Sequence, residues 1–127
     1  MHLQWKFNGS KPVYLQIIEH IRSAILAEEF LPGGRIPPVR DLASQAQVNP
    51  NTMQRAMLEL EREGLLVTCG TMGRFVTDDP HILEKIRQEA LEQVVRSCAE
   101  QFRLAGLTMA QAAQLLLALE EKEDAHG

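Results

Sequence analysis

Five polar side chains between positions 49 and 55 have the chemistry of a surface that hydrogen-bonds to DNA. They are Asn49, Asn51, Thr52, Gln54 and Arg55. In the major groove, asparagine and glutamine match the edge of adenine, and arginine matches that of guanine. Threonine hydroxyls and the free amides at a helix N-terminus suit phosphate oxygens. The run therefore predicts contacts to DNA; the alternative is an ordinary exposed helix face on which Asn49 serves only as a cap.

Three further residues extend this candidate site to two other segments. Arg40 precedes the polar run in the chain, and Gly73 and Arg74 follow it in a predicted hairpin. Arginine binds phosphate oxygens well, and glycine lets a backbone approach DNA closely. In the alternative interpretation, Arg40 pairs with a nearby acid and Gly73 serves a turn that needs a positive φ.

The polar run is predicted on a helix over about 50–63. Asn49 is a favourable N-cap and Gly64 a natural stop after the last turn. Asn51 and Arg55 fall on the face opposite the apolar residues of this helix. Those apolar residues recur at i, i+3, i+4 and i+7, and they are Met53, Ala56, Met57 and Leu60.

The neighbouring elements complete a winged helix-turn-helix. An amphipathic helix is expected over 13–29, with Tyr14 in the core, and a two-turn helix starts at Val39. Three or four residues separate this two-turn helix from the helix of the polar run. The two helices are therefore predicted to form a helix-turn-helix over about 39–58. Two short strands with a glycine-containing turn predict a β-hairpin, the wing, over about 65–77.

The predicted fold class is mainly α with a small β-hairpin, and the chain divides into two regions. Residues 11–79 form the winged helix-turn-helix domain. Residues 80–127 form two amphipathic helices, over about 80–104 and 108–122, with a frayed tail from Glu120. A lone helical hairpin cannot enclose its apolar stripe, so this region is predicted to form a homodimer. The alternative is that it folds back onto its own winged domain.

Composition excludes several classes of protein. The 127 residues, 45% apolar, suggest one domain with an appendage. The longest apolar stretches are far shorter than the ~20 residues of a membrane span, and no signal peptide is visible. We therefore expect a cytoplasmic protein with no membrane partner.

Catalytic and metal chemistry are not expected either. Two cysteines make neither a disulfide framework nor a metal quartet, and the four histidines show no ligand spacing. No triad, carboxylate pair or phosphate-cradling loop is present, so we expect a non-enzyme without cofactor or metal.

The net charge of −4 argues against nucleic acid, but its distribution does not. Screening limits the reach of a charge to about 8–10 Å, so the local balance decides phosphate binding. Within 35–58 and 70–76, only Asp41 opposes the arginines, which are Arg35, Arg40, Arg55 and Arg74. The alternative favoured by the acidic total is a winged-helix adaptor that binds protein and not DNA.

Four segments resemble the winged-helix domain of GntR-family transcriptional regulators. They are residues 12–17 (PVYLQI), 31–43 (LPGGRIPPVRDLA), 48–52 (VNPNT), and 63–66 with 73–76 (EGLL with GRFV). The VNPNT run and the short C-terminal region are similar to the YtrA-like branch. The resemblance covers residues 11–79 closely, and the rest by length and helical pattern.

The resemblance implies a homodimer that binds a double-stranded DNA operator with an inverted repeat, usually to repress transcription. It implies contacts from Arg40, from residues 49–54 and from Gly73. This chain departs from the family pattern where Pro38 replaces a capping serine, and where Pro50 and Gln54 replace two arginines. The 48 residues after position 79 are too few for the ligand-binding domain of longer relatives, so an effector is unknown.

Overall fold

The computed structural model describes residues 3–126 of the chain, without the side chain of His126. It confirms the predicted fold class, a mainly helical protein with one β-hairpin. The elements in chain order are α1 (Val13–Leu26), α2 (Val39–Ala46), α3 (Pro50–Arg62), β1 (Leu66–Thr68), β2 (Arg74–Val76), α4 (Pro80–Leu104) and α5 (Met109–His126).

The chain forms two compact units that divide inside α4. The first unit extends to Lys85 and the second begins at Ile86. The boundary expected between residues 79 and 80 falls at the start of α4, which begins at Pro80 as predicted. The first unit contains all eight residues of the candidate site.

The core of the first unit lies between α1 and α3. Ile17 of α1 and Met53, Met57 and Leu60 of α3 have no solvent-exposed surface. This packing fixes the rotation of α3 about its own axis, because residues spaced by three or four positions share one face of a helix. The face opposite Met53 and Met57 is thereby directed outward.

The turn between α2 and α3 is tight. Gln47 ends α2 in the left-handed conformation, with φ 57°, and the Val48 amide donates a 3.0 Å hydrogen bond to the Ala43 carbonyl. Pro38 precedes α2 without a side-chain capping bond, as its replacement of serine implies. The two helices follow each other closely enough to form the predicted helix-turn-helix.

A third segment pairs with the wing, which the sequence patterns did not predict. β1 and β2 pair antiparallel, with Val67 opposite Phe75. On the other side of β2, the Val76 amide bonds to the Gly34 carbonyl at 2.8 Å, and the Ile36 amide bonds to the Arg74 carbonyl at 3.0 Å. The segment after α1 therefore joins the wing and places its side chains beside the hairpin.

Two helix ends differ from prediction. α1 stops at Leu26 and not at residue 29, because Glu28 takes a left-handed conformation with φ 59°. α5 continues to His126, so the expected end at 122 and the frayed tail were wrong. Most of its last residues are good helix formers and no glycine or proline interrupts them, which is compatible with the extension.

The second unit leaves most of its apolar side chains exposed. The chain direction changes by 110° between α4 and α5, so the two helices do not lie side by side as a tight hairpin. Among the described residues no single helix is long and apolar enough to cross a membrane, although the bent pair together meets that test of length and composition. At least half of the surface of each of these large side chains is exposed: Leu91, Val94, Val95, Leu104, Leu115, Leu116, Leu117 and Leu119.

Candidate nucleic-acid interface

The N-terminus of α3 is capped as predicted. Asn49 is extended, with φ −63° and ψ 133°, and its side-chain oxygen accepts a 2.8 Å hydrogen bond from the Asn51 amide. Pro50 occupies the first helical position, where a missing amide hydrogen does no harm. The remaining free amides of this first turn carry the positive end of the helix dipole, which favours an anion such as phosphate.

The polar run faces outward along the first turns of α3. Asn51 and Arg55 are exposed, and Thr52 and Gln54 are half-buried at the sides. Met53, between them in the chain, is fully buried. The outward orientation of Asn51 and Arg55, on which the sequence hypothesis depends, is therefore observed.

Arg55 has an aromatic support that sequence analysis missed. Its guanidinium carbon lies 3.7 Å from the centre of the Tyr14 ring on α1. Tyr14 is half-buried, so the expectation that it is a core residue holds only for part of its side chain. A cation over an aromatic face is attracted by the ring quadrupole, and the contact restricts a flexible arginine side chain at the surface.

Arg74 is tied to α3 by an ion pair. Its Nε donates to Glu61 Oε1, and the same carboxylate oxygen accepts a 2.6 Å hydrogen bond from the Thr68 hydroxyl of β1. The Arg74 Nη1 lies 3.4 Å from the Gln54 side-chain oxygen. Of the predicted site residues, Gln54 of α3 and Arg74 of the wing are thus brought together.

The electrostatics of Glu61 reflect this pairing. Burial on its own would raise the pKa of Glu61, but the hydrogen bonds from Thr68 and Arg74 and the attraction of the Arg74 guanidinium outweigh it. The pKa consequently lies below its ordinary value of 4.5. The carboxylate is therefore charged at neutral pH and paired with the Arg74 guanidinium.

Gly73 satisfies both a turn and a neighbouring arginine. Its φ of +115° is rare for residues with a side chain, and an added Cβ would lie 2.9 Å from Arg35 Nε. The Arg35 side chain therefore lies across the tip of the wing. Its position could not be read from the sequence, because it follows from the pairing of the segment after α1 with β2.

Arg35 beside the wing and Arg40 on α2 each present a positive charge at the surface. Both side chains are exposed, and within residues 3–126 no carboxylate forms an ion pair with either one. The alternative that Arg40 pairs with a nearby acid finds no support here. Arg35 is the additional candidate that the structure contributes.

A family profile described as "Bacterial regulatory proteins, gntR family" matches residues 13–76, from the first residue of α1 to the end of β2. The chain belongs to the GntR family. It is 37% identical over 103 residues to the uncharacterized HTH-type transcriptional regulator YhcF of Bacillus subtilis, covering 81% of this chain and 85% of YhcF. The family resemblance predicted from the sequence is confirmed.

The likeness to YtrA is confirmed as well. The HTH-type transcriptional repressor YtrA of Bacillus subtilis is 39% identical over 71 residues, which cover 56% of this chain and 55% of YtrA. The similarity therefore covers little more than half of either chain. As a GntR-family chain, this protein is a transcriptional regulator, and these relatives are named as regulators and not as enzymes.

Solved structures agree with this placement. A GntR family transcriptional regulator from Listeria monocytogenes superposes with a TM-score of 0.81 at 28% identity, covering 88% of this chain and 98% of that one. The DNA-binding domain of AraR, crystallised in complex with operator ORX1, gives a TM-score of 0.55 at 33% identity and covers 61% of this chain and 99% of that one. With 88% coverage the first match extends into the second unit, whereas the AraR match covers a smaller part of the chain.

Proposed function

We propose that this GntR-family regulator is a cytoplasmic repressor that binds an inverted-repeat DNA operator as a homodimer. One observation carries the proposal: the first turns of α3 expose Asn51 and Arg55 while Met53 anchors the helix from behind. The similarity to an AraR domain bound to its operator supports the same use of the fold. A recognition helix reads bases mainly with its N-terminal residues, which is where the exposed polar groups lie.

The contacts are assigned by chemistry and position. Asn51, Gln54 and Arg55 face base edges in the major groove. Phosphate oxygens are bound by Arg40 of α2 and by the start of α3, through Thr52, the Asn49 side chain and the free amides of its first turn. The side-chain oxygen of Asn49 already caps α3, so the side-chain NH2 group of Asn49 is the part that can donate to DNA.

The wing lies along the adjacent DNA backbone. Gly73 allows the tip of the wing to come close to the phosphates, and Arg35 adds a positive charge beside Gly73. Arg74 belongs to the same surface, but its guanidinium is already paired with Glu61 and is therefore a weaker candidate for phosphate.

The second unit supplies the dimer. Its exposed apolar side chains include Val94 and Val95 on α4, each 65% exposed, and Leu117 on α5, 61% exposed. Exposed apolar surface of this extent marks an interaction site, and a second copy of the same unit is the simplest partner of matching chemistry. A twofold dimer also matches the symmetry of an inverted repeat.

Selection of duplexes from a random-sequence library by the full-length chain tests the proposal. The expected result is enrichment of an inverted repeat, with log affinity falling steeply as log salt rises. Arg40→Ala should lower the affinity and reduce the salt slope by about 0.9, the value for one phosphate contact. Arg62→Ala is the matched control, because Arg62 lies at the opposite end of α3 and is ion-paired with Glu59.

The competing function is the protein-binding adaptor, which the net charge of −4 favours. An adaptor would enrich no sequence, and its binding of DNA would be weak and equal in the wild type and in Arg40→Ala. That result would overturn the repressor proposal.

A further inference from the structure

Glu61 of α3 connects this helix to the wing, and the predicted DNA contacts do not include it. The Glu61 carboxylate contacts both strands of the wing. It accepts hydrogen bonds from the Thr68 hydroxyl of β1 and from the Arg74 guanidinium of β2. The side chains of this pair are largely shielded, with 19% of Arg74 and 24% of Glu61 exposed. The guanidinium is therefore held at a defined place beside α3.

The Gln54 amide is oriented with its side-chain oxygen toward this guanidinium. Arg74 Nη1 faces the Gln54 side-chain oxygen at 3.4 Å. A guanidinium has only donors, and so does the NH2 group of glutamine, so the reversed amide would set donor against donor. The carbonyl oxygen of Gln54 is accordingly directed to the wing, and its Nε2 donors are left for the other side.

We propose that Glu61 and Arg74 are positioning residues that fix the Gln54 amide, so that Gln54 selects a base edge carrying a hydrogen-bond acceptor. Guanine N7 and O6, adenine N7 and thymine O4 meet this requirement, whereas the N4 amino group of cytosine is a donor and is rejected. This inference rests on the proposed function. It gives Arg74 a role that acts through Gln54 and does not require contact with a phosphate.

The arrangement combines an uncharged side chain with a paired arginine. Position 54 holds glutamine, which carries no charge. The wing places the Arg74 guanidinium beside it, 3.4 Å from its side-chain oxygen, and Glu61 neutralises that guanidinium. Gln54 and Arg74 together therefore favour recognition of a base by a directed hydrogen bond. An arginine at position 54 would add a positive charge to the surface.

The experiment begins with the operator selected by the full-length wild type. Gln54→Ala, measured against duplexes with each base pair replaced in turn, identifies the base pair that Gln54 reads. At that pair the wild type should discriminate acceptor from donor edges by about fivefold to tenfold, the size of one net hydrogen bond.

The decisive variant is the double substitution Glu61→Gln with Arg74→Met, which removes both charges and leaves the net charge unchanged. It should lose the discrimination at this one base pair while retaining preferences elsewhere and the wild-type salt slope. Glu61→Gln alone should keep the discrimination, because Arg74 remains beside Gln54 and a glutamine can still accept its bond. Arg74→Lys should lose it without losing charge, since lysine lacks the two-pronged geometry that reaches both partners.

The matched control is Arg22→Met with Glu63→Gln. This pair also joins an arginine to a glutamate near the end of α3, with side chains 28% and 33% exposed, but it lies between α1 and α3 and away from the wing. It should leave every base preference unchanged, and thermal unfolding of both double variants shows whether they are folded. If the Glu61/Arg74 variant does not fold, Arg74→Lys carries the test.

Two results would overturn the inference. In one, the discrimination at the Gln54 base pair survives both the double substitution and Arg74→Lys; in the other, Gln54→Ala changes no base preference. In either case the wild type still selects an operator, so the proposed function stands. A wild type that selects no sequence contradicts the proposed function, and this inference with it.

Discussion

At the scale of single residues, the exposed face of α3 combines polar side chains with partners that hold them in place. Tyr14 supports Arg55 from α1, and Arg74 faces Gln54 from the wing. Side chains that are ordered before binding lose less conformational entropy when they meet a ligand. Both supports come from elements distant in sequence, so the fold and not the local pattern prepares the reading surface.

The pairing of Arg74 with Glu61 in the free protein can be tested by stability measurements without DNA. The pKa of Glu61 is lowered in the folded chain, so the carboxylate stabilises the fold above its ordinary pKa of 4.5 and loses that effect as pH falls through the lower folded value. Glu61→Gln should therefore reduce the free energy of unfolding by about 1 kcal/mol near neutral pH. The difference from wild type should shrink toward zero in acid.

Urea unfolding of both proteins between about pH 7 and pH 3 measures this difference. Glu100→Gln is the control, since its pair with Arg103 is exposed and contributes little. A difference between wild type and Glu61→Gln that stays constant across the whole pH range would show that the Arg74 pair does not stabilise the fold.

At the scale of elements, local signals predict what is local. The asparagine cap, the proline after it and the apolar spacing of α3 place that helix within one residue of its observed end. The pairing of residues 34 and 36 with β2, which carries Arg35 to the wing tip, is non-local and leaves no pattern in either segment.

The candidate site divides in the same way. The outward orientation of Asn51 and Arg55 follows from the helical period and was predicted. The ion pair of Arg74 joins residues 13 positions apart and could not be predicted, because either residue could equally face solvent. The exposed arginines Arg40 and Arg35 have no acid paired with them by the fold, whereas the half-buried Arg74 is paired with Glu61.

At the scale of the whole molecule, the proposed function assigns a different task to each of the two units. The first unit holds the candidate reading surface, and the second exposes apolar side chains that a lone chain leaves in water. In the proposed dimer, pairing of the second units joins two reading surfaces in one particle. Binding to both half-sites then raises the affinity above that of one unit, because the second contact is intramolecular.

A charge placed on the exposed apolar surface tests this division. Val94→Glu should convert the dimer to a monomer, because a carboxylate at that position cannot be buried against a second copy. The fold of the monomer should survive, since Val94 is 65% exposed there. Sedimentation equilibrium measures the mass, and Gln93→Glu, which adds the same charge at the next position of α4, is the control. A monomeric wild type, or a dimeric Val94→Glu, would contradict the proposed interface.

The central claim is that the first turns of α3 read DNA, and nuclear magnetic resonance of the full-length chain tests it most directly. On addition of a duplex selected by the wild type, the largest changes in backbone amide shifts should fall at residues 49–55, with smaller ones at Arg40 and the wing tip. A mutated duplex that the chain does not select should produce much weaker changes in the same segment. Shift changes confined to α4 and α5, or absent from residues 49–55, would contradict the account.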